Sequence, residues 1–213
     1  PPMGIQVADV AGGSLHAVMA ILAAVIERER SGMGQYIDIS MTDCAVSLNA
    51  MAAAASLAAQ EPQEPEKGML NGGSFYDYYE TQDGRYFAVG SLEPQFMSGL
   101  AAALDLPILM SKGMSFDPDD RKTVKAALQE KFRTQSFSIW QQLFKNLDIC
   151  VEPVLGLEEA LSSSLSEQRG WVVDVPLSTN NEQSEPQLAC PIKFSRSQMH
   201  YGFIGQKLGE GKW

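Results

Sequence analysis

Histidine, cysteine and positive charge are scarce in this chain of 213 residues, and each shortage excludes a class of function. Three cysteines, Cys44, Cys150 and Cys190, stand far apart without Cys-x-x-Cys or Cys/His spacing, which argues against a disulfide framework and against a metal site. They read as buried thiols. Sixteen Lys and Arg against 26 Asp and Glu leave a net charge of −10, with no basic cluster, so nucleic acid is not an expected partner. Long hydrophobic runs are missing too. The longest, near 17–26, is about half of what a bilayer span needs, so no membrane partner and a cytoplasmic location are expected. There is no GxGxxG fingerprint and no internal repeat. The chain opens Pro1-Pro2 rather than with methionine, which reads as one piece of a longer protein.

The stretch around which the rest is organised is Ile5 to Ser14, where an apolar run carries one carboxylate, Asp9, into Gly12-Gly13. The pattern predicts strand, tight turn and helix, with glycines free to take positive φ or to admit another backbone, and with Ser14 as N-cap. At such a junction Asp9 is either a general base or nucleophile at the mouth of a site, or a turn and cap residue. Apolar residues from Leu15 to Ile26 recur at helical spacing, and Gly32 ends that helix. His16 in its first turn reads as structural. Gln35 to Ser40 alternates as a strand with Tyr36 or Ile37 inward, and Met41 to about Ala59 reads as one helix, apolar nearly all round and therefore buried in this chain or against another. Asp43 lies in its first turn, where a carboxylate suits the helix dipole.

The proline-bearing acidic stretch from Gln60 to Lys67 marks a boundary. Beyond it, two aromatic alternating runs joined through Asp83-Gly84 predict a β-hairpin. Glu93 precedes Pro94 at a strand-to-helix junction, with a helix over 95–104; a Glu in that position serves as a cap or as a functional carboxylate. Further helices are predicted over 119–133, 136–147 and 157–167, and strands over 150–155, 171–175 and 190–195, with a polar loop over 178–185 and a frayed end at 209–213.

Taken together, Val7-Ala8-Asp9-Val10-Ala11-Gly12-Gly13, Glu27-Arg28, Ser31-Gly32-x-Gly34-Gln35, Asp38-x-Ser40-Met41-x-Asp43, Gly72-Gly73 and the run from Asp77 through Glu93-Pro94-Gln95-Phe96 resemble the α-methylacyl-CoA racemases of the family III CoA-transferase superfamily. The resemblance covers about Gly4 to Phe194. It implies an α/β fold: residues 1–60 as the C-terminal portion of a partial Rossmann-like large domain with its linking helix, 61–195 as a smaller α/β domain, and 196–213 as a return segment. It also implies Asp9 and Glu93 as catalytic carboxylates, Glu93 paired to a histidine that faces Asp9 across the substrate. Tyr76, Met41, Asp43, Gly12 and Gly13 would bind substrate. Coenzyme A would enter only as part of an acyl-CoA, with no separate cofactor, and the protein would be an interlocked homodimer. The family's histidine lies upstream of the Asp9 block, and neither His16 nor His200 matches it, so the chain alone is expected to be inactive. Two alternatives are a CoA-transferase, in which Asp9 forms an acyl anhydride, and a non-catalytic dimerising module built on the apolar helix from Met41.

Overall fold

The computed structural model describes residues 4–60, 64–70, 72–178 and 183–205. They pack as two units, Pro1–Ser74 and Phe75–Trp213. The packing division thus falls after Ser74, whereas the sequence places a boundary at the acidic loop, of which residues 61–63 lie outside the described set.

All the regular elements described in the first unit are helical. Val7–Ser14 is a π-helical segment that runs straight into α1 (Leu15–Ser31), followed by α2 (Met41–Ser47) and α3 (Ala50–Ala59). Two expected strands are therefore absent among the described residues. The segment around Asp9 forms no ladder; its backbone groups are met locally, by Val10 N–H on the Gln6 carbonyl at 3.0 Å and Leu15 N–H on the Val10 carbonyl five residues back. Residues 35–40 carry no strand pairing, because a strand needs a neighbour for its N–H and C=O groups and no described segment of this unit offers one. Ile37 is half-buried there and Tyr36 exposed.

The single helix expected from Met41 breaks between Ser47 and Ala50. Ser47 Oγ donates to the Cys44 carbonyl at 2.7 Å and Asn49 Nδ2 to the Ala45 carbonyl at 3.0 Å, side-chain bonds that compete with helix propagation. Only Gly12 and Ser74 are buried among the described residues of this unit. Leu15, Val18, Met19, Leu22 and Ile26 on α1, and Met51 and Leu57 on α3, are exposed, so α3 is not buried within this chain. The π-helical segment and α1 together span 25 residues, Val7–Ser31, long and apolar enough by length and composition to cross a membrane. The ten-residue estimate from sequence is too short because the helix begins well before Ser14. Core helices of soluble proteins share that length and composition.

The second unit holds the hydrophobic core. Strands β1 (Asp77–Glu80), β2 (Tyr86–Val89) and β3 (Val151–Pro153) form one antiparallel sheet in that order. The expected hairpin is present, with Glu80 opposite Tyr86 and Asp77 opposite Val89. Alternation selects the buried side chains: Tyr79, Phe87 and Val89 are inside, Tyr78 and Tyr86 exposed. Onto them pack α4 (Pro94–Leu104), α5 (Ile108–Lys112), α6 (Pro118–Phe132) and α7 (Phe137–Phe144). Pro94 and Pro118 occupy first-turn positions where a missing N–H costs nothing, and Asp117 caps α6 by accepting from Asp119 N–H at 2.8 Å. Phe132, fully buried, lies within ring contact of Tyr79, Phe87, Trp140 and Phe144, and its carbonyl accepts the Trp140 indole N–H at 2.8 Å.

The helix expected over 157–167 is two, α8 (Leu157–Leu161) and α9 (Ser164–Arg169). Ser162 bonds back to Glu158 and Ser163 caps α9 by accepting from Ser166 N–H, so the serine pair breaks the helix. Strand β4 (Val172–Pro176) pairs not with 190–195 but with β5 (Ser184–Leu188), part of which the sequence places in a polar loop. The ladder stops soon after Ala189 donates to the Trp171 carbonyl, because Pro191 has no N–H to extend it. Residues 206–213, including the expected frayed end, lie outside the described set.

Asp83 ties the hairpin turn to α7. Its carboxylate accepts from Thr81 Oγ1 at 2.6 Å and from Phe137 N–H at 2.9 Å, bonds that hold its carboxyl below the ordinary aspartate value. A carboxyl depressed in the folded state stabilises the fold at pH above its unfolded pKa, and that contribution disappears as pH falls through the folded value. Acid titration followed by Trp fluorescence is therefore expected to show the second unit of Asp83→Asn losing less stability between neutral and acid pH than the parent.

Candidate functional site

Asp9 projects from the π-helical segment and is exposed. Two side chains reach five residues back along this widened helix, Ser14 Oγ donating to the Asp9 carbonyl at 3.0 Å and His16 Nδ1 lying 2.8 Å from the Ala11 carbonyl. Single-turn π segments inside α-helices are frequent at functional sites. Ser14 is thus not an N-cap but an αR residue inside the helix, and His16 has a structural contact as expected. Neither Gly12 nor Gly13 takes positive φ. They serve by being small: a Cβ on Gly12 would meet the Met41 carbonyl at 3.4 Å, and one on Gly13 would meet Met41 Cγ at 3.3 Å. The glycines let α2 lie against the segment that carries Asp9.

On α2, Ser40 is the N-cap and accepts from Asp43 N–H at 3.2 Å. Asp43 stands exposed in the first turn. The first unit therefore gathers Asp9, Gly12, Gly13, Met41 and Asp43 on two packed segments.

Glu93 and Tyr76 belong to the second unit. Glu93 is the N-cap residue of α4 by backbone, its carbonyl accepting from Met97 N–H at 2.9 Å, yet its carboxylate makes no capping bond. The carboxylate is not consumed by the helix. The loop before it is anchored from a distance: Gly90 N–H donates to the Cys150 carbonyl at 2.9 Å, and the fully buried Ser91 hydroxyl donates to the Ile149 carbonyl. Gly90 admits the Tyr76 ring, whose Cε2 would be 3.3 Å from a Cβ at that position. Tyr76 thus packs at the corner formed by Gly90, three residues before Glu93.

Cys150 joins that corner, and sequence reasoning assigned it no role. It is exposed, with φ of 51°, and none of the three cysteines is fully buried, contrary to expectation. Cys44 sits beside Gly12 and Cys150 turns into β3, positions set by chain direction rather than by apolarity. Partial desolvation, then the charges of Glu93, Asp148 and Glu152, push the Cys150 thiol above its ordinary value, so it is a poor nucleophile. No local signal could have tied Cys150 to Glu93 or Ser91 to Ile149, because the contacts join residues far apart in the sequence. Among the described residues, no group of three or more His, Cys, Asp or Glu side chains could hold a metal ion.

A family model for CoA-transferase family III matches residues 1–209. The chain belongs to CoA-transferase family III. Within this family it is 35% identical over 198 residues to the α-methylacyl-CoA racemase of Mus musculus, a match covering 90% of this chain and 49% of that protein. It is 27% identical over 202 residues to the human succinyl-CoA:glutarate CoA-transferase, covering 92% of this chain and 45% of that one. A CAIB/BAIF family protein from Brucella suis has the same fold, with a TM-score of 0.72 at 24% identity, covering 99% of this chain and 54% of that chain. The family III chain spans about half the length of the curated relatives it matches. Its fold is α/β, and the relatives it matches are named as a racemase and as a CoA-transferase.

Proposed function

We propose that this chain carries part of the active site of an α-methylacyl-CoA racemase, with Asp9 and Glu93 as its catalytic carboxylates. The observation that carries the reading is the 35% identity to the mouse racemase, against 27% to the human glutarate transferase. The α-proton of a thioester is a very weak acid. Its removal needs a positioned base and preorganised donors for the enolate oxygen. Asp9, exposed on a π-helical segment buttressed by α2, is suited to hold the proton on one face of the α-carbon. Glu93, uncapped and fixed by the Gly90 and Ser91 anchors, is suited to polarise a histidine that serves the other face. Tyr76 would line the acyl chain, and Met41 and Asp43 the wall behind Asp9. The histidine and the coenzyme A contacts are assigned to the half of the relatives' length that this chain does not span.

In the transferase reading Asp9 acts instead as a nucleophile, through attack on the thioester carbonyl, release of coenzyme A as thiolate and formation of an aspartyl anhydride. One assay separates the two, run on the chain joined to the remaining half of the family sequence. A 2-methylacyl-CoA is incubated in D₂O with a free acid, following α-deuterium uptake and coenzyme A transfer together. Deuterium uptake without transfer is the expected result. Transfer with an acyl adduct on Asp9 would replace the racemase by the transferase.

We also assign the exposed apolar surfaces of α1 and α3 to a homodimer interface, and the whole to the cytoplasm without a membrane partner. The supporting observation is the apolar area left open on the first unit. A monomer in sedimentation of the complete protein would overturn the dimer.

A further inference from the structure

Four cations on the second unit's surface are paired with carboxylates: Arg85 with Glu159, Lys112 with Asp120, Lys125 with Asp77 and Arg133 with Glu80. A different arrangement stands elsewhere on the same unit. A cavity of about 420 Å³ lies between the end of α9, the start of β4 and the segment that follows β5. Its described lining includes Arg169 and Lys193, together with Leu161, Trp171, Leu188 and Pro191, and no Asp or Glu is among those described residues. In a chain of net charge −10, a concavity with two cations and no carboxylate in its described lining is a local reversal of sign.

The local structure explains how the cations come together. Arg169 is the last residue of α9, and Gly170 caps that helix in the left-handed conformation at φ of 57°. The chain then turns at once into Trp171 and β4. Lys193 comes from the segment after β5 and approaches the same turn, its Nζ 3.5 Å from the Gly170 carbonyl. That contact is long and uses one of three ammonium hydrogens, so donors remain for a ligand. Trp171 is half-buried and supplies the aromatic part of the lining.

We infer that this cavity binds an organic carboxylate, with the carboxyl group held by Arg169 and Lys193 and an apolar body lying against Trp171, Leu161 and Leu188. The volume falls in the range of small-ligand sites. A carboxylate suits the lining better than a phosphate does. Two cations match its two oxygens, whereas phosphates are held where further side-chain or backbone donors converge, and no hydroxyl or amide side chain is among the described residues that line this cavity. The inference does not depend on the assignment of Asp9 and Glu93.

Trp171 supplies the readout. The chain has three tryptophans: Trp140 is buried in the core, Trp213 lies outside the described residues, and the first unit has none. Decanoate, below its micelle concentration, is titrated into the 213-residue chain, in parallel with decanol and decyl phosphate. The expected result is a saturable change in emission that disappears in Trp171→Phe. Decanoate should bind more tightly than decanol and at least as tightly as decyl phosphate. Arg169→Gln and Lys193→Gln should each weaken it about ten-fold, the loss of one charge-assisted hydrogen bond. Both residues are exposed and outside the core, so circular dichroism should match the parent. The site is overturned if no saturable change occurs, if decanol binds equally well, or if the double variant Arg169→Gln/Lys193→Gln binds as the parent does. Tighter binding of decyl phosphate would overturn the carboxylate assignment.

Discussion

Asp9→Asn, introduced into the chain joined to the remaining half of the family sequence, is expected to lower α-proton exchange about 10²–10⁴-fold, the usual worth of a positioned general acid or base. The substitution keeps shape and hydrogen-bonding capacity but cannot take up a proton. It leaves the Asp9 backbone carbonyl, which accepts from Ser14, untouched, so the π-helical segment should persist. Glu93→Gln is expected to retain more activity than Asp9→Asn, because Glu93 acts through a histidine rather than on the substrate. Its signature is a displaced pH profile of kcat/KM, with the limb that reports the histidine moved to lower pH once the neighbouring negative charge is gone. Exchange rates within about two-fold of the parent for Asp9→Asn would remove Asp9 from the chemistry. An unmoved profile in Glu93→Gln would do the same for the pairing.

Phe132→Ala is expected to cost the second unit about 3–5 kcal/mol of unfolding free energy, the range for large-to-small changes at fully buried aromatic positions. The ring sits at the meeting point of sheet and helices. It stacks on Tyr79 at 5.4 Å between centroids and lies 5.5 Å from Trp140 and 6.0 Å from both Phe87 and Phe144. Removing it leaves a cavity bordered by rigid rings that cannot collapse into the space, so both the transfer loss and the cavity loss apply. Leu157→Ala on α8 provides the contrast: the side chain is 72% exposed, and its loss should change stability by no more than about 0.5 kcal/mol. Urea titration of the second unit's tryptophan fluorescence measures the first effect. A change below about 1 kcal/mol in Phe132→Ala would show that the core cluster is not the stabilising centre of this unit.

How much could be read in advance depended on where each element finds its hydrogen-bond partners. The hairpin was legible because everything it needs is local: alternating aromatics for the two faces, and Asp83-Gly84, with Gly84 at φ of 75°, for the turn. Helices α4 and α6 were legible for the same reason, through Pro94, Pro118 and the Asp117 cap. The segments that misled are those whose pattern suits more than one partner. Val7 to Ser14 and 35–40 look like strands, but among the described residues of the first unit no ladder accepts them, and the former closes its bonds on itself as a π-helical segment. At the other end, 190–195 has the better strand composition, but Pro191 cannot donate, and β4 pairs with the more polar 184–188.

The candidate site divides in the same way. The sequence by itself determined the family, through blocks of residues that recur at set spacings, and with it the candidate carboxylates Asp9 and Glu93. The tertiary structure alone decided what surrounds each candidate. Gly12 and Gly13 act through their lack of a side chain against Met41 rather than through positive φ. The Glu93 carboxylate is left uncapped while its loop is pinned by Ser91 and Cys150, and Arg169 and Lys193 converge on Trp171 at a helix end. The physical reason is common to all three. Local propensity and period act over a turn or a strand, whereas close approach, loop anchoring and charge convergence depend on contacts between residues distant in the chain, which no local pattern encodes.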